Sequence, residues 1–234
     1  MTDYADALDD ALTGVKELRS GSFATDDPYA VQRDVVDRRL ARGEKAVGIK
    51  LGLTSRAKMQ QMGVDEVIWG WLTDAMRIAD GGSLDLSQRI HPKVEPEVAF
   101  LVRGGEIAAI APAIEVIDSR WLDFKFTLPE VIADNTSAAG FVVGNWQPVP
   151  AGVENLGVLL EIDGRVVQIG STAAILGDPR RAFAEAARLY PGRAIPDESI
   201  VLAGAATAAV SVKPGSAVRV EVEKLGTAQL KVSS

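Results

Sequence analysis

The chain has 234 residues, of which 47% are hydrophobic and 24% charged, and it carries a net charge of −7. This composition is ordinary for a folded globular protein and excludes a disordered or fibrous chain, while the acidic balance argues against a nucleic-acid surface, which needs clustered Lys and Arg. The absence of cysteine and the single histidine, His91, exclude disulfides, thiolate catalysis, iron–sulfur clusters, Cys-ligated zinc and any site built on several histidines.

No apolar run approaches the ~20 residues that span a bilayer, and the start, with Asp3, Asp6, Asp9 and Asp10, is unlike a secretory signal. A cytoplasmic location is expected, with neither membrane nor nucleic acid as partner. Helical spacing predicts helices over residues 4–19 and 27–42, the second with Val31, Val35, Val36 and Leu40 on one face, capped by Asp26 or Asp27 and stopped at Gly43. Residues 46–53 read as a strand with Lys50 inside it, and residues 55–62 as a helix capped by Thr54 or Ser55 and ended by Gly63. From residue 90 the pattern turns to strands, over 94–102, 107–116, 139–143 and 157–162. Asp163-Gly164 predicts a hairpin turn into 165–169, because glycine accepts the positive φ of such turns. A helix over 178–189 opens at Asp178-Pro179, and strands resume over 200–232 around Pro214-Gly215 and Leu225-Gly226. The expected organisation is an N-terminal helical lobe carrying the Lys50 strand, residues 1–78, and a β-rich core, residues 79–234.

In Val94-Glu95-Pro96-Glu97-Val98, strand alternation places Glu95 and Glu97 on the same face; a solvated acidic face has the same pattern. Glu115 interrupts a run, Ala111 to Ile117, that is apolar on both parities and therefore reads as buried on both faces. A buried carboxylate is costly unless it is paired or binds a metal, and Arg120 nearby offers an ion pair as the alternative. Three carboxylates with positions left open for water and substrate suit Mg²⁺ or Mn²⁺. Lys50, inside an apolar strand, either meets an anion or snorkels to the surface. His91 is expected to cap or hydrogen-bond.

Four segments can be read together: Gly48-Ile49-Lys50-Leu51-Gly52-Leu53-Thr54-Ser55, His91-Pro92-Lys93-Val94-Glu95-Pro96-Glu97, Pro112-Ala113-Ile114-Glu115-Val116-Ile117-Asp118-Ser119-Arg120 and Ala133-Asp134-Asn135-Thr136-Ser137. In this order the chain resembles the 2-keto-4-pentenoate hydratase and 4-oxalocrotonate decarboxylase family of the fumarylacetoacetase-like superfamily. The resemblance implies an α+β fold, a distorted mixed β-barrel or roll of the fumarylacetoacetase C-terminal-domain type with an N-terminal helical lobe. It also implies Glu95, Glu97 and Glu115 as ligands of Mg²⁺ or Mn²⁺, Lys50 as a catalytic residue at the substrate, and Thr54, Ser55, Lys93, Asp118, Arg120, Ser137 and Thr207 as substrate-binding residues. Asp134 is placed by motif alone. Thr207 belongs to Ala203-Gly204-Ala205-Ala206-Thr207, which resembles the family's Gly-rich turn and also suits a closely packed core strand.

Ile68 stands in Val67-Ile68-Trp69-Gly70, where hydratases of the family tend to carry an acid for proton transfer, and residues 118–126 also look like the decarboxylase branch. The implied activity is metal-dependent decarboxylation of 2-oxohex-3-enedioate to 2-hydroxypenta-2,4-dienoate in the meta-cleavage degradation of aromatics. The alternatives are the hydratase of that dienoate, or a catalytically silent partner subunit of such a hydratase. A homo-oligomer and a complex with a 2-hydroxypentadienoate hydratase are the implied assemblies. One departure is the connection around residues 103–108, roughly a dozen residues shorter than the family's, a loop-sized difference.

Overall fold

The structure, a computed structural model, describes residues 4–55, 59–60 and 63–234. Two helices, α1 (Tyr4–Gly14) and α2 (Pro28–Ala41), open the chain. Asp27 caps α2, its carboxylate accepting the Ala30 N–H at 2.9 Å, and Gly43 ends it at φ 103°. The first helix stops at Gly14 and not at residue 19: Val15 turns to φ 51°, and the Lys16 N–H donates back to the Ala11 carbonyl at 2.9 Å. Further on, Leu18 forms a parallel bridge with Trp121, tying this N-terminal segment to the chain beyond β6. The helix expected over 55–62 falls partly outside the described residues, as do Gln61 and Met62.

Seven strands and a short branch make the main sheet. They are β1 (Ala46–Gly52), β2 (Ile68–Thr73), β3 (Arg77–Ile78), β5 (Lys93–Arg103), β6 (Glu106–Ile117), β7 (Ala138–Val143) and β10 (Ile200–Leu202), with β11 (Val210–Ser211) on the side of β5. Their order is β2-β1-β10-β5-β6-β7-β3, with β1/β10 and β3/β7 parallel and the other pairs antiparallel. The second sheet runs β4-β13-β12-β8-β9, from β4 (Ser83–Asp85), β13 (Gly226–Ser233), β12 (Ala217–Val222), β8 (Gly157–Ile162) and β9 (Arg165–Ser171). Val98, Phe100, Ile110 and Ile114 of the first sheet share one core cluster with Val158, Leu160, Val218, Val220 and Leu230 of the second. In β12 and β13 burial alternates along the strand, so only one face is covered, whereas β7 is buried throughout. Helices α3 (Leu128–Ala133) and α4 (Pro179–Leu189) complete the α+β fold that the sequence led us to expect.

One turn ties the β2 edge of the main sheet to the start of β7, near its other edge. Asn135, Thr136 and Ser137 all take left-handed φ values of 48°, 53° and 57° just before β7. The Asn135 side chain accepts the Trp71 N–H at 2.7 Å and donates to the Trp71 carbonyl at 3.0 Å, so its amide acts as a one-residue strand against β2. Thr136 Oγ1 adds a bond to the Trp69 carbonyl at 2.7 Å. Gly70, between the two, must be glycine: a Cβ there would lie 2.5 Å from the Asn135 carbonyl oxygen.

The short connection is a two-residue turn. Gly104 and Gly105, at φ 60° and 77°, carry β5 into β6 with Arg103 paired to Glu106, the geometry of a tight hairpin. Asp163-Gly164 makes the expected turn between β8 and β9, with a bulge beyond it at Leu160/Glu161. Among the described residues, no helix is long and apolar enough to cross a membrane.

Candidate active site

The β5–β6 ladder sets Glu95 directly opposite Glu115, and Glu97 follows two residues on, on the same face of β5. The pairing brings one oxygen from each of the three carboxylates within 4.8 Å of the others, and the residues are 6%, 1% and 1% exposed in the order Glu95, Glu97, Glu115. Curling of the sheet lets Lys50 on β1 reach Glu115, three strands away in the sheet order. Its Nζ lies 2.8 Å from Glu115 Oε1 and donates to the Thr136 carbonyl at 3.1 Å.

Glu97 Oε2 accepts the Gly204 N–H at 2.9 Å. Gly204 sits at φ 102°, and a Cβ there would lie 2.0 Å from Thr54 Oγ1, so the close approach of that turn to Thr54 requires glycine. Glu97 Oε1 and Glu115 Oε2 are buried with no hydrogen-bond donor on them.

Burial and the Glu115 charge push the Glu97 carboxyl well above the usual carboxylate range. Burial also raises Glu115, with Lys50 opposing the shift. For Lys50 burial works against the charged form, but Glu115, Glu97 and Glu95 together outweigh it and its pKa is raised. One ammonium thus faces three buried carboxylates. A set of hard oxygen donors with two oxygens unpartnered fits a divalent cation such as Mg²⁺ or Mn²⁺.

Beside this cluster lies a cavity of about 160 Å³. Lys50, Thr54, Glu95 and Ser137 are among its polar lining, and Leu53, Ile68, Ile117, Phe124, Phe126 and Val131 among its apolar lining. The Ser137 hydroxyl is buried without a partner. Lys93 starts β5, and its Nζ lies 3.9 Å from the centroid of the Phe124 ring, which belongs to the apolar lining.

Other residues expected at the substrate lie elsewhere. The Asp118 carboxylate accepts the Ile90 and His91 N–H groups, both at 2.9 Å, and so anchors the approach to β5. The Arg120 guanidinium is held by Asp134, through Nε to Oδ1 and through Nη2 to the Asp134 carbonyl at 3.0 Å, in a pocket under α1 and α2. The ion pair that Arg120 offered to Glu115 is therefore taken by Asp134, and Glu115 has Lys50. Thr207 packs near Gly170 of β9, with its hydroxyl donating to the Ala208 carbonyl at 3.1 Å. Ser55 lines a separate groove of about 830 Å³ together with Asp65, Glu66, Arg181 and Arg188. His91 Nδ1 lies 3.3 Å from Glu17, and its ring packs on Phe124.

Sequence reasoning missed the Thr136 carbonyl, the Gly204 N–H and the aromatic wall. Main-chain donors and acceptors carry no side-chain signature. Phe124 and Phe126, by contrast, flank Lys125 at a spacing of two, within a stretch already singled out.

A curled mixed sheet packed on a second sheet, with buried carboxylates at a strand ladder inside it, defines the fold class. The chain belongs to the Fumarylacetoacetate (FAA) hydrolase C-terminal family, which matches residues 105–233. Within that class it is similar to a 4-oxalocrotonate decarboxylase of Pseudomonas sp, with 49% identity over 211 residues, covering 84% of this chain and 82% of the relative. The solved structure of 4-oxalocrotonate decarboxylase from Pseudomonas putida G7, complexed with magnesium and adipate, superposes with a TM-score of 0.90 at 36% identity, over 97% of this chain and 95% of that one. A 2-keto-4-pentenoate hydratase of Paraburkholderia xenovorans (strain LB400) is 32% identical over 227 residues, covering 89% of this chain and 84% of the relative. The resemblance inferred from the four motifs is borne out.

Proposed function

We propose that this chain is a divalent-metal-dependent lyase that decarboxylates 2-oxohex-3-enedioate to 2-hydroxypenta-2,4-dienoate and CO₂. The observation that carries the reading is the buried Glu95, Glu97 and Glu115 cluster, with two unpartnered oxygens, beside a cavity that Glu95 lines together with several apolar side chains. Similarity at 49% identity to a 4-oxalocrotonate decarboxylase supports it.

In the reaction the C5–C6 bond breaks and its electron pair forms the C4–C5 double bond. The C3–C4 pair moves to C2–C3, the 2-oxo oxygen takes the negative charge, and CO₂ departs. One proton taken up by that oxygen gives the product. Glu95, Glu97 and Glu115 would hold Mg²⁺ or Mn²⁺, and the ion would supply a Lewis acid to the 2-oxo acid end of the substrate.

Lys50 contributes from the protein. Its ammonium is fixed by Glu115 and the Thr136 carbonyl, and it brings positive potential and a hydrogen-bond donor to the end of the cavity where the enolate charge develops. The Ser137 hydroxyl, buried and unpartnered, is a donor for the substrate's 1-carboxylate. Ile68 supports loss of CO₂ over addition of water, since it lines the wall and can neither give nor take a proton there.

The test is a spectrophotometric assay with Mg²⁺, offering 2-oxohex-3-enedioate and 2-hydroxypenta-2,4-dienoate separately and trapping CO₂ from the first. CO₂ release without consumption of the dienoate is the expected result. Consumption of the dienoate alone would make the chain a hydratase, and silence with both substrates would favour a non-catalytic partner subunit.

A further inference from the structure

Among the described residues lining the cavity, Lys50 is the one cation, and its ammonium is engaged by Glu115 and the Thr136 carbonyl. A six-carbon dicarboxylate with its 2-oxo acid end beside Glu95 and Lys50 has a second carboxylate at its far end. The lining of the cavity includes Ile117, Phe124 and Phe126, and a carboxylate against such a surface is costly unless a cation meets it.

Lys93 is placed to be that cation. Strand alternation puts Lys93, Glu95 and Glu97 on the same face of β5, and Lys93 pairs with Ile117 just as Glu95 pairs with Glu115. Two strand residues advance about 7 Å. The terminal carbons of a six-carbon chain are roughly 6 Å apart, from five bonds of about 1.5 Å in zigzag. The step from Glu95 to Lys93 therefore matches the length of the substrate.

The Lys93 ammonium has no carboxylate in ion-pair reach among the described residues. It lies over the Phe124 ring at 3.9 Å, an attraction weaker than the charge-assisted bond a carboxylate offers. Phe124 is itself held at φ 56°, following Asp123 at φ 57°. A bulky residue in the left-handed region is rare, and such strain persists where the surroundings enforce it, often at ligand sites.

We propose that Lys93, resting on Phe124, reads the distal carboxylate of the substrate and selects six-carbon 2-oxo dicarboxylates over monocarboxylates of the same length. The inference rests on the reading of the cavity as a 2-oxo acid site and does not depend on turnover.

Calorimetric titration with Mg²⁺ present tests it, using 2-oxoadipate and 2-oxohexanoate, which differ only in the distal carboxylate and lack the double bond that decarboxylation needs. The wild-type protein is expected to bind 2-oxoadipate at least about tenfold more tightly, the scale of one charged hydrogen bond. Lys93→Met should abolish that preference while leaving 2-oxohexanoate binding and the circular dichroism spectrum unchanged, and Lys93→Arg should restore it. Equal affinities in the wild type, a preference that survives Lys93→Met, or an equal loss for both ligands would each overturn the proposal. Failure of the wild type to release CO₂ with the preference intact would overturn the decarboxylase reading alone.

Discussion

Glu97 is the residue on which the metal-site reading bears most directly. Burial and the neighbouring Glu115 resist its ionisation, and the Gly204 N–H donates to it. Glu97→Gln keeps an acceptor for that N–H and removes one negative charge from the cluster. Two effects of opposite sign are expected: a more stable metal-free protein, because like-charge repulsion falls, and Mg²⁺ affinity lower by at least about tenfold, since even outer-shell losses weaken metal sites by that factor. Thermal unfolding and calorimetry read the two separately, and an unchanged Mg²⁺ affinity would sink the ligand assignment. Asp134 gives a pH-dependent counterpart away from the cavity. Burial, opposed by Arg120, raises its pKa from 3.8 to about 6. The folded chain thus holds a proton that the unfolded chain has released, so the contribution to stability is full below about pH 3.9 and is lost as pH rises through about 6. Asp134→Asn should remove this pH-dependent part, at most about 3 kcal/mol, from urea midpoints followed between pH 4 and 7. A variant curve with the same slope as the wild type would refute the assignment.

The Asn135 turn is the element that converts a sheet into an enclosure. Its amide satisfies the N–H and carbonyl of Trp71, and its neighbour Thr136 both bonds Trp69 and receives Lys50. Asn135→Ala leaves two main-chain groups unpaired, each costing about 1–3 kcal/mol, and also loosens the carbonyl that positions Lys50. A stability loss of about 2–5 kcal/mol with a lower kcat is the expected outcome in urea unfolding and the CO₂ assay; a variant as stable as the wild type would show that β2 needs no such partner. Nothing in the sequence announced this turn beyond a string of residues tolerant of left-handed φ. The β5–β6 pair, by contrast, was readable, because Glu95 and Glu97 alternate with buried Val94, Val98 and Phe100 and Glu115 breaks an otherwise apolar strand. The strand β2 escaped notice since Ile68, Trp69, Trp71 and Leu72 are apolar on both parities around a glycine, and β3 and β4 are too short to show a period. Arg120 illustrates the other limit: adjacency in sequence to Glu115 suggested a partner, but successive strand residues face opposite ways and the loop after β6 carries Arg120 to Asp134.

At the scale of the whole molecule the three glutamates come from two neighbouring strands, Lys50 from a third, and the cover from a turn and the segment around Phe124, so the site exists only when the main sheet is assembled. A ligand of that site binds the folded chain and not the unfolded one, and linkage then makes metal occupancy part of the fold's stability. With Mg²⁺ at a hundred times its dissociation constant the gain is about 2.7 kcal/mol, which for a chain of this length is a rise in Tm of roughly 5–10 °C. Chelation with EDTA should reverse that rise in the wild type, and in Glu97→Gln at the same Mg²⁺ concentration a tenfold weaker affinity leaves a gain of about 1.4 kcal/mol, so the rise should fall to about half or less. The comparison separates specific binding from a general salt effect, since screening of surface charges acts on both proteins alike while occupancy of the cluster acts more strongly on the wild type. A Tm that ignores both Mg²⁺ and EDTA in the wild type would mean that Lys50 alone balances the three carboxylates, and the metal-dependent reading of the reaction would then fall with it.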